Sequence, residues 1–159
     1  MSRFRVPSLR TVLFVVPLLL ASLLATTGAA TAAERTSAAS AAQGTPCATS
    51  ARACVRLSSG QAWLTDGAGT VTYGPVSVSG GTAAWPTPVG TFSVSHKVVD
   101  YWSRQFDAPM PYSVFFQPGI AFHQGDLGSS SAGCLRLSRA SAQKFFADLK
   151  VGDTVQVLS

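Results

Sequence analysis

The stretch Phe122–Ser138, FHQGDLGSSSAGCLRLS, joins the end of an apolar run to a small-residue turn and then to a helix signal. The run IAFH has the length and composition of a short β-strand, and it ends on a histidine, His123. A cysteine, Cys134, follows eleven residues later, directly after the turn residues SAG. The stretch therefore predicts a strand, a tight turn and a helix in succession, with a histidine before the turn and a cysteine at its end.

The segment after this turn carries the signals of one helix. Ser138 is a residue type that favours the N-cap, and RASAQKFFADLK follows it without glycine or proline. Gly152 is positioned to close the helix. The apolar face of this segment consists of Leu137, Phe145, Phe146 and Leu149.

The chain after Cys54 alternates short apolar runs with turn residues. Asp66-Gly67 predicts a hairpin turn, Gly80-Gly81 breaks a strand, and Gln117-Pro118-Gly119 predicts a β-turn. The prolines of WPTP exclude a central strand there, and DYWSRQFDAP is a polar segment. The predicted strand regions are VRLSSGQAWLT, TVTYGPVSVS, TFSVSHKVV, YSVFF, IAFH and TVQVL. We therefore expect a mainly β domain, either a sandwich or a barrel, with one short helix after Cys134.

The first 33 residues have the order of regions found in a secretory signal peptide. Three arginines precede an apolar run at residues 11–24, and the small-residue stretch ATTGAATAA follows it. Two A-x-A-like sites predict a mature chain that begins at Ala33 or Glu34. The alternative is a retained membrane anchor, although the run is shorter than the roughly 20 apolar residues that span a bilayer. We expect contact with the membrane only through this segment.

Residues 34–46 are rich in alanine, serine and threonine, which favours a flexible linker. The remaining residues, 47–159, suffice for one domain with one core, and we expect a monomer. The chain has twelve Lys and Arg against seven Asp and Glu, but without the three arginines of the signal the count is nine against seven. This small excess, without a basic cluster interleaved with aromatics, argues against nucleic acid as a partner.

Three cysteines in an exported chain favour one disulfide and one free thiol. Cys47 and Cys54 are seven residues apart, close enough to close a small loop in an oxidising compartment, whereas Cys134 is distant. We therefore expect a disulfide between Cys47 and Cys54. The free Cys134 is then a reactive thiol, an intermolecular linker or a buried small hydrophobe.

His123 and Cys134 have the residue types of a nucleophile and its base. Only the thiolate attacks a carbonyl, and a histidine within hydrogen-bond reach is the usual activator. Attack creates an oxyanion, and consecutive backbone N–H groups of Ala132, Gly133 and Cys134 would be donors to it. The spacing alone leaves a structural pair as the alternative.

The chain from about Ala53 to Leu158 resembles the L,D-transpeptidase catalytic domain of the YkuD type. The matching segments, in chain order, are ACVRLSSGQAWL, YGPVSVSGG, TPVGTFSV, MPYSVFF, GIAFHQG and SAGCLRLS. In that family a cysteine attacks the diamino acid carbonyl of a peptidoglycan stem peptide and expels the terminal D-alanine. The acyl group then passes to an amine of another stem or to water.

The resemblance assigns roles to individual residues. It implies that Cys134 is the nucleophile, that His123 is its base, and that the backbone carbonyl of Gln124 orients the imidazole ring. It also implies an oxyanion hole at Gly133 and Cys134. Three further residues, Tyr112, Arg136 and Ser131, would contact substrate. The implied partners are donor and acceptor stem peptides of the extracytoplasmic cell wall, with a role in wall biogenesis and cell shape.

The sequence departs from the family at one residue. The family motif reads S-H-G-C, and this chain has Ala132 in place of that histidine. The departure keeps two alternatives open: a non-catalytic module that only binds peptidoglycan, and an L,D-carboxypeptidase that releases the acyl group to water. The two histidines and scattered carboxylates give no metal-ligand spacing, and no glycine-rich phosphate loop is present in the sequence, so we expect neither a metal nor a cofactor.

Overall fold

The computed structural model describes residues 42–159, which form nine β-strands and one α-helix. In chain order the elements are β1 (Ala53–Arg56), β2 (Gln61–Thr65), β3 (Val71–Ser77), β4 (Gly90–Ser93), β5 (His96–Ser103), β6 (Ala108–Gln117), β7 (Ile120–Gln124), β8 (Leu135–Leu137), α1 (Arg139–Asp148) and β9 (Thr154–Leu158). The predicted mainly β fold with one short helix after Cys134 is confirmed. The predicted signal peptide lies outside the described residues.

The strands form two mixed sheets. The first has the order β3-β2-β1-β9-β4, and the second has the order β5-β6-β7-β8. Two pairs, β1 with β9 and β7 with β8, are parallel, and the other pairs are antiparallel. Of the two architectures that the sequence left open, the two-sheet sandwich is the one observed.

The main core draws side chains from both sheets and the helix. It includes Val55 and Val155 from the first sheet, Phe122 and Leu135 from the second, and Phe145 from α1. Because side chains alternate along a strand, the neighbours of these core residues in β7 and β8 lie on the opposite face of the second sheet. That outer face carries the candidate site.

The predicted strand TFSVSHKVV is wrong as a single element. The chain leaves the first sheet after β4 and enters the second at β5, crossing at Val94 and Ser95. The Val94 N–H donates to Asp153 O at 2.9 Å beside the first sheet, whereas the Ser95 N–H donates to Phe115 O at 2.8 Å in the second. Val94 is buried at this crossing, so the alternation of apolar and polar residues continues in the sequence although the strand is interrupted.

The polar segment DYWSRQFDAP is part of a hairpin. Its first residues belong to β5 and its last to β6, and Trp102 pairs with Pro109 while Ser103 pairs with Ala108. The side chains of Trp102 and Phe106 are both more than half exposed, which explains why the segment lacks an apolar pattern.

The helix begins as predicted and ends earlier. The Ser138 side chain accepts a hydrogen bond from Ser141 N–H, which caps α1. The helix ends at Asp148, and Leu149 is already extended, with φ −75° and ψ 139°. Gly152 does not close the helix; its N–H donates to Val94 O at 2.8 Å in the turn that leads to β9.

The domain extends into the segment predicted as a linker. Ala42 is buried, and its N–H donates to Cys47 O at 2.8 Å. The Gln43 N–H donates to Gly69 O at 3.0 Å. Packing in the described chain therefore includes Ala42, five residues before Cys47. The predicted disulfide between Cys47 and Cys54 is present. Within residues 42–159, no helix is long and apolar enough to cross a membrane.

Phe122 links the strand of His123 to the core, and its loss should destabilise the fold. The ring is fully buried and lies 5.1 Å from the ring centroids of both Phe116 and Phe145. We expect Phe122→Ala to lower the free energy of unfolding by about 3–5 kcal/mol in urea denaturation, because it leaves a cavity. The control Val99→Ala, at a half-exposed position of β5, should change it by less than about 0.5 kcal/mol. Equal losses in the two variants would contradict this core assignment.

Candidate active site

The parallel pairing of β7 with β8 brings the histidine and the cysteine to one cavity. His123 is the register partner of Arg136, and Cys134 directly precedes β8. The side chains of His123, Cys134 and Arg136 line a cavity of about 420 Å³. The β5–β6 hairpin contributes an apolar wall that includes Phe106 and Met110. The sequence did not identify this wall, because Phe106 lies in the segment interpreted as polar and Met110 carries no signal of its own.

Cys134 also lines a second cavity, of about 630 Å³, on the side of Tyr101 and Trp102. Phe106 and Met110 border both cavities. Cys134 therefore borders two neighbouring cavities.

His123 is held in one orientation by the backbone next to it. Its Nδ1 lies 2.7 Å from Gln124 O, and since a carbonyl oxygen only accepts, Nδ1–H is the donor. In the neutral ring this leaves the lone pair on Nε2. Burial lowers the pKa of His123, and the nearby Arg136 charge lowers it further, against the opposing effect of the Gln124 hydrogen bond. The imidazole is therefore neutral at neutral pH and able to accept a proton.

Cys134 rests as a thiol. Burial raises its pKa, and a hydrogen bond from the Ala121 backbone and the charge of Arg136 oppose this only in part. The Sγ–H donates to Gly119 O at 3.5 Å, and among the described residues it makes no hydrogen bond to His123. Catalytic hydrogen bonds are often formed only once substrate is bound, so this resting geometry is compatible with proton transfer to His123.

The turn before Cys134 is fixed by hydroxyl groups. The Gly133 N–H donates to Ser131 Oγ at 3.1 Å, and Ser131 Oγ–H donates to Cys134 O. We expected the Gly133 N–H to donate to the oxyanion, but in the structure this N–H already donates to Ser131 Oγ. Within residues 42–159 the Ala132 and Cys134 N–H groups make no hydrogen bond, so they are the available donors. Ser131 supports the turn and lines the cavity, and its hydroxyl proton is engaged by Cys134 O.

Gly133 is favoured by its backbone conformation. Its φ of +104° is one that residues with a side chain rarely adopt, so any substitution there would be strained. An added Cβ would also displace the end of the Ile120 side chain, which would lie 2.7 Å away.

A threonine that the sequence did not single out also touches this turn. Thr87 is buried, and its Oγ1–H donates to Gly133 O at 2.9 Å while Oγ1 accepts from Gly81 N–H at 2.9 Å. The only sequence signal was a hydroxyl residue between the two prolines of WPTP, in the matching segment TPVGTF.

Arg136 lies beside His123 and Cys134 in the cavity wall. Its Nη1 donates to Ser129 O at 3.2 Å and to Ser129 Oγ, and its stem covers Gly125, where an added Cβ would lie 2.8 Å from Arg136 Cγ. Within the described part of the chain, Arg136 forms no salt bridge. The guanidinium is thus held by Ser129, with no carboxylate within salt-bridge distance among the described residues.

Tyr112 does not lie where the resemblance implied. Its ring packs against Phe146 at 6.1 Å between centroids, and its hydroxyl accepts from Gln143 Nε2 at 2.9 Å. It lines neither cavity beside Cys134, because its side chain is directed at α1. Across residues 42–159 no group of three potential metal ligands occurs.

The model of the YkuD family, the L,D-transpeptidase catalytic domain, matches residues 50–157. The chain belongs to this family. Among solved structures, an L,D-transpeptidase from Stackebrandtia nassauensis is similar, with a TM-score of 0.64 and 28% identity over 67% of this chain and 54% of that one. An L,D-transpeptidase from Mycobacterium tuberculosis has a TM-score of 0.62 and 22% identity over 67% and 57%.

A second structure from Mycobacterium tuberculosis, L,D-transpeptidase 3 in complex with a faropenem-derived adduct, has a TM-score of 0.60 and 21% identity over 67% of this chain and 59% of that one. The matched part of this L,D-transpeptidase family member therefore spans just over half the length of those proteins. No curated protein sequence matches the chain.

The proton state of Cys134 in this L,D-transpeptidase domain predicts a distinctive pH profile. Because burial raises the pKa of the thiol, alkylation by iodoacetamide should still accelerate above about pH 8.5, the ordinary pKa of cysteine. Mass spectrometry of the labelled chain measures the rate, with Cys134→Ala as the blank. A rate that levels off below neutral pH would instead indicate a preformed thiolate–imidazolium pair.

Arg136 should shift the titration of both neighbours in the same direction. Its positive charge stabilises the thiolate and disfavours the imidazolium, so Arg136→Gln should raise the pKa of Cys134 and that of His123. Alkylation profiles report the first and NMR titration of the histidine reports the second. Arg139→Gln, which removes a charge beside Tyr112 and away from the cavity, is the matched control. Unchanged midpoints in Arg136→Gln would rule out this electrostatic role.

Proposed function

We propose that the protein is an exported cysteine acyltransferase that acts on peptidoglycan stem peptides. The observation that carries the proposal is that Cys134 shares one cavity with His123, whose Nδ1 is anchored to Gln124 O so that Nε2 is the basic atom. Membership of the L,D-transpeptidase family supports the substrate class. The arginine-led apolar segment at the start of the chain supports export to the cell wall.

The reaction follows from the groups in the cavity. His123 takes the proton of Cys134, and the thiolate attacks the diamino acid carbonyl of the donor stem. The oxyanion collapses, the carbon–nitrogen bond to D-alanine breaks, and His123 returns the proton to the leaving amine. An amine of a second stem then attacks the thioester from the open side, which forms the cross-link and frees the thiol.

Arg136 is proposed to bind a carboxylate of the donor stem. Its guanidinium lies in the cavity wall, is oriented by Ser129, and has no carboxylate partner among the described residues. A planar guanidinium binds a carboxylate through two parallel hydrogen bonds, which would fix the stem relative to Cys134.

The alanine at position 132 is proposed to be compatible with turnover. The turn depends on the hydroxyls of Ser131 and Thr87 and on the glycine at position 133. None of these contacts uses the side chain of residue 132. This favours a working enzyme over a module that only binds peptidoglycan.

Exposure of the full chain to a carbapenem tests the nucleophile. We expect a stable adduct in the intact mass, since the thiolate opens the β-lactam ring and keeps the acyl group as a thioester. The adduct should be absent in Cys134→Ala and should form much more slowly in His123→Ala, because general-base catalysis contributes about 10²–10⁴ in rate. The matched control His96→Ala removes the other histidine, which lines neither cavity, and should react normally.

The same experiment separates the proposed enzyme from its alternatives. If the folded wild type forms no adduct and Ala132→His does not restore it, the chain is a binding module. If the adduct forms, incubation with purified sacculi distinguishes two outcomes: new cross-linked stems identify the transferase, and shortened stems alone identify the carboxypeptidase.

A further inference from the structure

Thr87 joins two backbone segments at the nucleophile turn. Its Oγ1 accepts from Gly81 N–H and donates to Gly133 O, each at 2.9 Å, and the residue is 5% exposed. Gly81 in turn is bridged to Ser131, the first residue of the turn. A single hydroxyl thus fixes the Gly133 carbonyl from a segment nearly fifty residues earlier, at a sequence separation of 46.

Fixing this carbonyl also fixes the direction of the Cys134 N–H. Gly133 O and Cys134 N–H belong to one planar peptide unit, and in a trans peptide they point in opposite directions. A peptide whose oxygen is held by Thr87 therefore directs the Cys134 N–H to the opposite side. A hydrogen bond accepted by the oxygen also polarises the unit and strengthens its N–H as a donor.

The neighbouring peptide is held in the same manner. Ser131 Oγ–H donates to Cys134 O, and Ser131 Oγ accepts the Gly133 N–H. The peptide units on both sides of the Cys134 Cα are therefore fixed by hydroxyls. The Cys134 N–H, on the same residue as the thiol, has no acceptor in the described chain.

We propose that Thr87 is a positioning residue that directs the Cys134 N–H at the oxyanion. The inference rests on the proposed acyl transfer. As the Sγ–C bond forms, the carbonyl π electrons move to oxygen, and the Cys134 N–H donates to the resulting negative charge. When the carbon–nitrogen bond breaks, the carbonyl re-forms and the proton held by His123 goes to the leaving nitrogen. Thr87 touches neither the substrate nor the sulfur.

Two reagents separate this role from a general effect on the thiol. A carbapenem acylates Cys134 through a tetrahedral oxyanion, whereas iodoacetamide alkylates the same sulfur by displacing iodide, with no oxyanion. In the full chain, Thr87→Val should slow acylation by about 10- to 100-fold, up to the cost of losing one oxyanion donor. Iodoacetamide alkylation at the same pH should keep its wild-type rate.

Two further variants complete the design. Thr87→Ser retains the hydroxyl and should recover most of the acylation rate. Thr82→Val removes an exposed hydroxyl of the same connector, which among the described residues accepts only from Trp85 N–H, and should leave both rates unchanged. If circular dichroism shows that Thr87→Val does not fold, Thr87→Ala, which leaves room for water at Gly133 O, takes its place with the same expected result.

Selective loss of acylation, with rescue by serine, supports the positioning role. Equal slowing of both reactions overturns it in favour of a structural role, and so does an unchanged acylation rate. If the wild type is alkylated but never acylated, the proposed function itself fails and the positioning role falls with it. That outcome is distinct, because it appears without any substitution.

Discussion

Three residue pairs of parallel β-sheet, between β7 and β8, hold the candidate site together. They set Phe122 opposite Leu135, His123 opposite Arg136 and Gln124 opposite Leu137. Because side chains alternate, one face of this short ladder belongs to the main core and the other to the cavity. A slip of one residue would exchange the two faces and bury the arginine in the core. The full burial of Phe122, Leu135 and Leu137 therefore specifies the register, and the register in turn brings His123 and Cys134 to one cavity.

The same burial sets the chemistry of the site at rest. It lowers the pKa of His123 and raises that of Cys134, so both groups are uncharged when the cavity is empty of substrate. The nearby guanidinium favours the thiolate but also disfavours the imidazolium, and so it cannot create a resting ion pair. In the proposed mechanism, the charges on His123 and Cys134 therefore form only when substrate is bound.

The sequence predicted the fold class, the helix start and the disulfide, because each has a local signal. The N-cap at Ser138 and the spacing of Cys47 and Cys54 are such signals, and both features are present in the structure. The break between β4 and β5 has no local signal: Val94 is buried on either interpretation, and only the partners of Val94 and Ser95 reveal the change of sheet.

The residues around the candidate site also divide into those with a local sequence signal and those without one. A motif resemblance could name Cys134, His123 and Gln124, since they are near one another in sequence. It could not indicate that the Gly133 N–H is occupied by Ser131, nor that Thr87 reaches the turn from a distant segment. It also misassigned Tyr112, whose side chain is directed at α1 by a φ of +58° within β6 and by the contact with Phe146. Long-range hydrogen bonds and backbone conformation at single residues leave no periodic pattern in the sequence.

The burial that raises the pKa of Cys134 has a consequence for the lifetime of the protein. Peroxides and disulfides react with the thiolate and hardly at all with the neutral thiol. A thiol that stays protonated is therefore sheltered from oxidation to sulfenic acid and from exchange with disulfides. A permanent thiolate would be more easily lost. The burial of Cys134 thus protects its sulfur while the cavity is empty.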